Sequence, residues 1–107
     1  MAYGRGVPAR RALRARRPRV TVKVRIPTML RDYAGGSTVV EVEGTTGREV
    51  LSAIEARHPA LGRRVTDEQG LIRRHVHVYV GEDRLRDLDT SVPDGADVTI
   101  LAAVSGG

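Results

Sequence analysis

Apolar and polar residues alternate at several places along the chain. Val20, Val22, Val24 and Ile26 are interleaved with Thr21, Lys23 and Arg25. Val40 and Val42 stand two apart within Thr38–Glu43, with Val39 on the other side. Val76, Val78 and Val80 alternate with His75, His77 and Tyr79, and Val98 and Ile100 lie within Asp97–Ala103. A period of two sends successive side chains to opposite faces, so each stretch predicts a strand with one face buried. The spacing changes between the second and third of these. Thr46 and Glu49 form a T-x-x-E capping box ahead of Val50, Leu51, Ala53 and Ile54. This predicts a helix from Gly47 to Arg57, ended by Pro59, which disfavours helical geometry at His58.

The connecting segments carry weaker signals. Thr28 to Ser37 reads as a loop in which Met29, Leu30 and Tyr33 tuck back and Gly35-Gly36 supplies positive φ for a turn. Residues 60–74 read as irregular, anchored by Leu61, Val65, Leu71 and Ile72. Gly81-Glu82-Asp83 predicts a turn, followed by a short strand or turn over Arg84 to Arg86. Leu88 and Val92 are expected to plug the core beneath a tight Pro93-Asp94-Gly95 turn. The order is strand, strand, helix, strand, short strand, strand, with a helix that covers one face of the sheet only. This is an α+β, ubiquitin-like β-grasp arrangement: a mixed sheet of four to five strands with one helix packed on one face. By parity the open face carries Thr21, Lys23, Arg25, His75, His77, Tyr79, Thr99, Leu101 and Ala103, and Leu101 is its prominent apolar member.

Charge divides the chain into parts. Of 107 residues, 18 are Lys or Arg and 13 Asp or Glu, a formal net charge of +5. Residues 1–19 hold Arg5, Arg10, Arg11, Arg14, Arg16, Arg17 and Arg19 and no acid, so the basic excess belongs to a leader and the remainder is slightly acidic. With few aliphatic side chains to bury, that leader is expected to be disordered. A folded domain over 20–104 and a flexible tail over 105–107 complete the organisation. The leader has three readings: an arm for nucleic acid, an organelle transit peptide, or upstream sequence dispensable to the domain. The first lacks aromatic interleaving beyond Tyr3, and the second lacks serine. No apolar run is long enough to span a bilayer, which makes the cytoplasm the expected compartment.

The composition removes most side-chain chemistry. The absence of cysteine rules out disulfides, thiolate metal sites and a cysteine nucleophile. His75 and His77, two apart on one strand face, form half of a metal clip and need a third ligand. Asp67-Glu68 and Glu82-Asp83 read as solvated turn charges, and Gly35-Gly36 lacks the strand-glycine-helix setting of a phosphate loop. What remains is the end of the sequence, where the last strand runs into Val104-Ser105-Gly106-Gly107.

Taken together, VTVKVRIPTMLRDYAGG at 20–36, the single helix, and DGADVTILAAVSGG at 94–107 resemble the MoaD/ThiS group of ubiquitin-like sulfur-carrier proteins. Within that group IPTMLR, HVHVYVGEDRLR and the VTIL-x-AV-x-GG ending are most similar to the CysO-type carriers that serve cysteine synthesis. The resemblance implies a protein co-substrate, not an enzyme, with no bound cofactor. An E1-like adenylyltransferase of the MoeB/ThiF type would use ATP and Mg²⁺ to adenylate the Gly107 carboxylate, and a sulfur donor would displace AMP to leave a thiocarboxylate. A sulfur-accepting enzyme, such as a cysteine synthase or a molybdopterin synthase large subunit, would then receive the sulfur. Gly106 and Ser105 would thread the partner's active-site entry, with Ser105 as spacer. Leu101, Ala103 and Tyr79 are the expected apolar contacts on the open face. With Gly107 last, no prior proteolysis is expected. Two other functions stay open: a ubiquitin-like modifier joined to lysines through Gly107, and a nucleic-acid-binding module using the leader.

Overall fold

A computed structural model describes residues 21–103. The leader at 1–19, Val20, Val104 and the tail residues Ser105, Gly106 and Gly107 lie outside that range. The sheet has five strands: β1 (Thr21–Arg25), β2 (Val39–Glu43), β3 (Val76–Val80), β4 (Asp83–Arg84) and β5 (Asp97–Ala102). Their spatial order is β2-β1-β5-β3-β4. β1 and β5 are parallel neighbours at the centre and every other pair is antiparallel. The register sets Val24 opposite Val40 on one side and Val98 on the other, and Val78 opposite Ile100. The predicted alternation is thereby summed across strands into one apolar layer, in which Val22, Val24, Val76, Val78, Val98 and Ile100 are almost fully buried.

Helix α1 (Gly47–Arg57) lies on that layer through Val50, Leu51 and Ile54. Its first turn leaves no free donor. Gly47 N–H donates to Thr90 O (3.1 Å), Arg48 N–H to Leu88 O (2.7 Å), and Glu49 N–H to the Thr46 side chain (3.2 Å). The Glu49 carboxylate reaches one residue farther back than a standard capping box. It accepts from the backbone N–H (2.7 Å) and hydroxyl (2.8 Å) of Thr45, and these bonds to its charged form lower its pKa. The segment over 88–92 therefore straps the helix start while Leu88 and Val92 enter the core, as their apolar character predicted.

Several connections differ from the sequence reading. A 3-10 helix spans Thr28–Ala34 where a loop was expected; it buries Leu30 and Ala34 and leaves Met29 exposed. Gly35 and Gly36 close it at φ 65° and 84°, as predicted. A second helix, α2 (Pro59–Val65), occupies the start of the segment read as irregular. Pro59 ends one helix and opens the next, because a residue at the first helical position has no intrahelical use for its N–H. Leu61 and Val65 are buried as expected, whereas Leu71 is 51% exposed and anchors nothing. There the chain turns on Asp67, whose carboxylate accepts from Gln69 and Leu71 N–H (2.8 and 3.0 Å). The short strand begins at Asp83, not Arg84, and Leu85 beyond it is a core residue whose N–H donates to Val78 O. One helix was predicted; two α-helices and a 3-10 helix are present among the described residues.

Candidate functional site: the open sheet face and the exit of the last strand

The side of the sheet facing away from α1 is polar and partly exposed, as parity required. Lys23, Arg25, Leu101 and Ala103 are exposed; His77, Tyr79 and Thr99 are half-buried. Register places Leu101 opposite His77, and Tyr79 opposite Thr99 on one side and Arg84 on the other. Tyr79 is thus a diagonal neighbour of Leu101, within reach of an aromatic side chain. Leu101 is 48% exposed, and no helix covers it. The three residues expected as apolar contacts therefore share one face.

The strand that carries Leu101 is also the one that leads to the glycines. β5 sits between β1 and β3, held by ladders on both edges. Its last described bond is Ala103 N–H to His75 O (2.9 Å), which sets the end of β5 beside the start of β3. Five consecutive pairs join β5 to β3, from Val80↔Val98 to Val76↔Ala102. The ladder with β1 ends at Thr99, so β3 alone holds the half of β5 that leads to the tail. The tail residues proposed to carry the chemistry, Ser105, Gly106 and Gly107, lie outside the described residues.

The half-clip of His75 and His77 gains no third ligand: among the described residues no group of three His, Cys, Asp or Glu side chains could hold a metal ion. Asp67 acts as a turn-former, through the bonds given above. No described helix is long and apolar enough to cross a membrane. Two exposed apolar side chains escaped the sequence reading, Met29 (48%) and Leu71 (51%). Each follows an expected-core pattern locally and is turned outward by a helix or turn that the pattern did not reveal.

A central parallel pair, one sheet face under helices and the other open, and a last strand feeding a diglycine together define a small β-grasp carrier. The model of the ThiS family matches residues 24–107, and the chain belongs to that family. It is 39% identical over 93 residues to the sulfur carrier protein CysO of Mycobacterium tuberculosis, a match covering 82% of this chain and all of that one. The crystal structure of Mycobacterium tuberculosis CysO superposes with a TM-score of 0.70 over 78% of this chain and 99% of its own. The BexX/CysO complex of Amycolatopsis orientalis contains a chain that is 39% identical, with a TM-score of 0.73 over 80% of this chain and 99% of that one. SAMP1 from Haloferax volcanii shares the fold at 27% identity, with a TM-score of 0.71 over 81% and 99%. The family and these relatives make the chain a ubiquitin-like sulfur carrier acting in biosynthesis, of the CysO type.

Proposed function

We propose that this protein carries sulfur as a thiocarboxylate on Gly107 and is a co-substrate of the enzymes that load and unload it. A carboxylate is a poor electrophile at neutral pH. An E1-like adenylyltransferase would therefore transfer AMP from Mg²⁺-bound ATP to the Gly107 carboxylate, releasing pyrophosphate. Attack by hydrosulfide, or by a donor delivering its equivalent, forms the C–S bond and expels AMP. The resulting thiocarboxylate is the nucleophile handed to a sulfur acceptor. The chemistry needs ATP and Mg²⁺ on the partner and no group bound to the carrier.

The observation that carries this reading is the family match through Gly107 on a chain whose last strand lies at the centre of the sheet. Gly106 and Gly107 have no Cβ, so an extended tail there passes a narrow entry and takes the backbone angles that entry imposes, with Ser105 as the spacer. Leu101, Ala103 and Tyr79 offer the apolar patch around which a partner closes, beside the point where the tail departs. Similarity to the CysO carriers favours a cysteine-forming acceptor over a molybdopterin synthase large subunit, and a cytoplasmic setting.

The test is intact-mass spectrometry after incubation with an E1-like partner, ATP, Mg²⁺ and hydrosulfide. The expected product is heavier by the difference between one sulfur and one oxygen, located at Gly107 and absent without ATP. An unchanged mass under conditions that convert another carrier would refute the reading. Isopeptide adducts to lysine through Gly107 under denaturing purification would instead favour a protein modifier, the class that the name of small archaeal modifier protein 1 states for that relative.

A further inference from the structure

A groove of about 370 Å³ lies along the outer edge of β3, between residues 71–74 and 84–88. It exists because β4 is only two residues long and pairs only with Tyr79 and Val80, leaving the first half of β3 uncovered on that side. Four guanidinium-bearing residues line it: Arg73 and Arg74 from one wall, Arg84 and Arg86 from the other. No acidic and no aromatic side chain lines it. The acids nearest along the chain are Asp67 and Glu68 before one wall and Glu82, Asp83 and Asp87 around the other; Asp67 is engaged by Leu71 N–H (3.0 Å), Asp83 stands opposite Val80, and none of the five lines the groove.

Three of these four arginines are unengaged. Arg73 Nε donates to Arg63 O (2.8 Å), while Arg74, Arg84 and Arg86 make no ion pair or side-chain hydrogen bond among the described residues. Arg48 and Arg64 behave differently: the first pairs with Asp89 and the second lies over the Tyr33 ring at 4.5 Å. Like charges crowded on one groove repel until an anion enters, and planar guanidiniums suit carboxylates bidentately. The groove is also apolar in part, with exposed Leu71 and half-buried Ile72 beside the arginines. A bare phosphate would leave Leu71 unused, and a nucleic acid would meet no aromatic stacking platform, only the guanidiniums.

Position supplies the last step. Arg73 and Arg74 immediately precede His75, whose carbonyl holds Ala103 where β5 ends. The groove therefore lies across β3 from the end of β5, one strand away from Ala103. We propose that it docks an acidic protein segment bearing an aliphatic side chain, the carboxylates engaging Arg74, Arg84 and Arg86 and the aliphatic group covering Leu71. Resting on the proposed function, this assigns the segment to the protein that receives the tail, which the groove orients from a side distinct from the Leu101 face.

The experiment uses the full ¹⁵N-labelled chain and, as probe, a blocked pentapeptide of glutamates around a central leucine. The expected result is saturable amide shifts confined to residues 71–74 and 84–88, and affinity that falls with salt. Binding should weaken by about tenfold or more in the Arg84→Ala/Arg86→Ala double variant, whose remaining spectrum reports its fold, and severalfold in Arg74→Ala. Unchanged affinity in both variants would overturn the proposal. Equal or tighter binding of pentaglutamate, triphosphate or single-stranded DNA at the same amides would overturn the assignment to an amphipathic acidic peptide. Peptide binding without conversion of Gly107 would refute the sulfur-transfer reading and leave the groove's ligand class standing. Conversion without peptide binding would do the reverse.

Discussion

The two faces of the sheet are built from the same strands, often from adjacent residues, and follow opposite rules. Toward α1 the side chains are short aliphatics matched in register across β2, β1, β5 and β3, and almost none reaches solvent. Toward the open side, one residue along each strand, stand Lys23, Arg25, His77, Thr99 and Leu101. The covered face is shaped by the cost of voids and unmatched volume, so its residues are interchangeable only within tight limits. The open face bears little of the stability and is free to vary toward a partner. That division suits a carrier: the fold is a handle, and identity is displayed on surfaces that the fold does not need.

The contrast is sharpest at Ile54, fully buried on α1. Ile54→Ala should cost about 2–5 kcal/mol through lost burial and the cavity left behind, measured by chemical denaturation. A cost below 1 kcal/mol would mean that the covering layer is not tightly packed. Next comes the contact between the two α-helices. A Cβ on Gly62 would lie 2.6 Å from Glu55 Cβ and 2.7 Å from its Cα, so Gly62→Ala must push the helices apart. Overpacking should outweigh the propensity gained and destabilise by about 1–2 kcal/mol net.

A smaller effect attaches to pH at the start of α1. Glu49 has its pKa lowered by the bonds from Thr45, so its contribution is complete above the ordinary glutamate pKa and is lost as pH falls through the depressed value. The melting temperature should therefore fall more between neutral pH and pH ~3 in the parent chain than in Glu49→Gln. Equal slopes would show that this cap contributes nothing. The smallest change in stability belongs to the open face. Leu101→Ser should stay within about 0.5 kcal/mol of the parent yet slow conversion by an E1-like partner severalfold through a raised KM. A large loss of stability there would break the comparison between the faces.

Much of this was legible in the linear pattern. The alternation at 21–26 and 76–80 named the buried and open faces correctly, because a strand's two-residue period leaves no freedom once one face is buried. Thr46 and Glu49 marked the helix start through a local hydrogen-bond requirement. Leu71 and α2 were misread for a common reason. A short apolar pattern around Pro59 fits a helix start or a break equally, and only packing against α1, with Gly62 on Glu55, selects the helix. Leu71 follows a turn set by Asp67, which points it outward whatever its hydrophobicity.

The candidate site divides the same way. The apolar, exposed Leu101 could be picked out from residue type and parity, which depend on neighbours one or two positions away, and the diglycine from the resemblance of the chain's ending to the sulfur carriers. The arginine groove could not. Arg73 and Arg74 stand ten or more positions from Arg84 and Arg86 in the chain, and each pair in isolation looks like solvated surface charge. They face one another only because β4 is too short to cover β3, and they stand one strand from the end of β5 only because β5 pairs with β3 so that Ala103 meets His75. Local periodicity and capping chemistry determined the elements and their faces. Strand order and register, which depend on contacts between residues far apart in sequence, decided what stands around the end of β5.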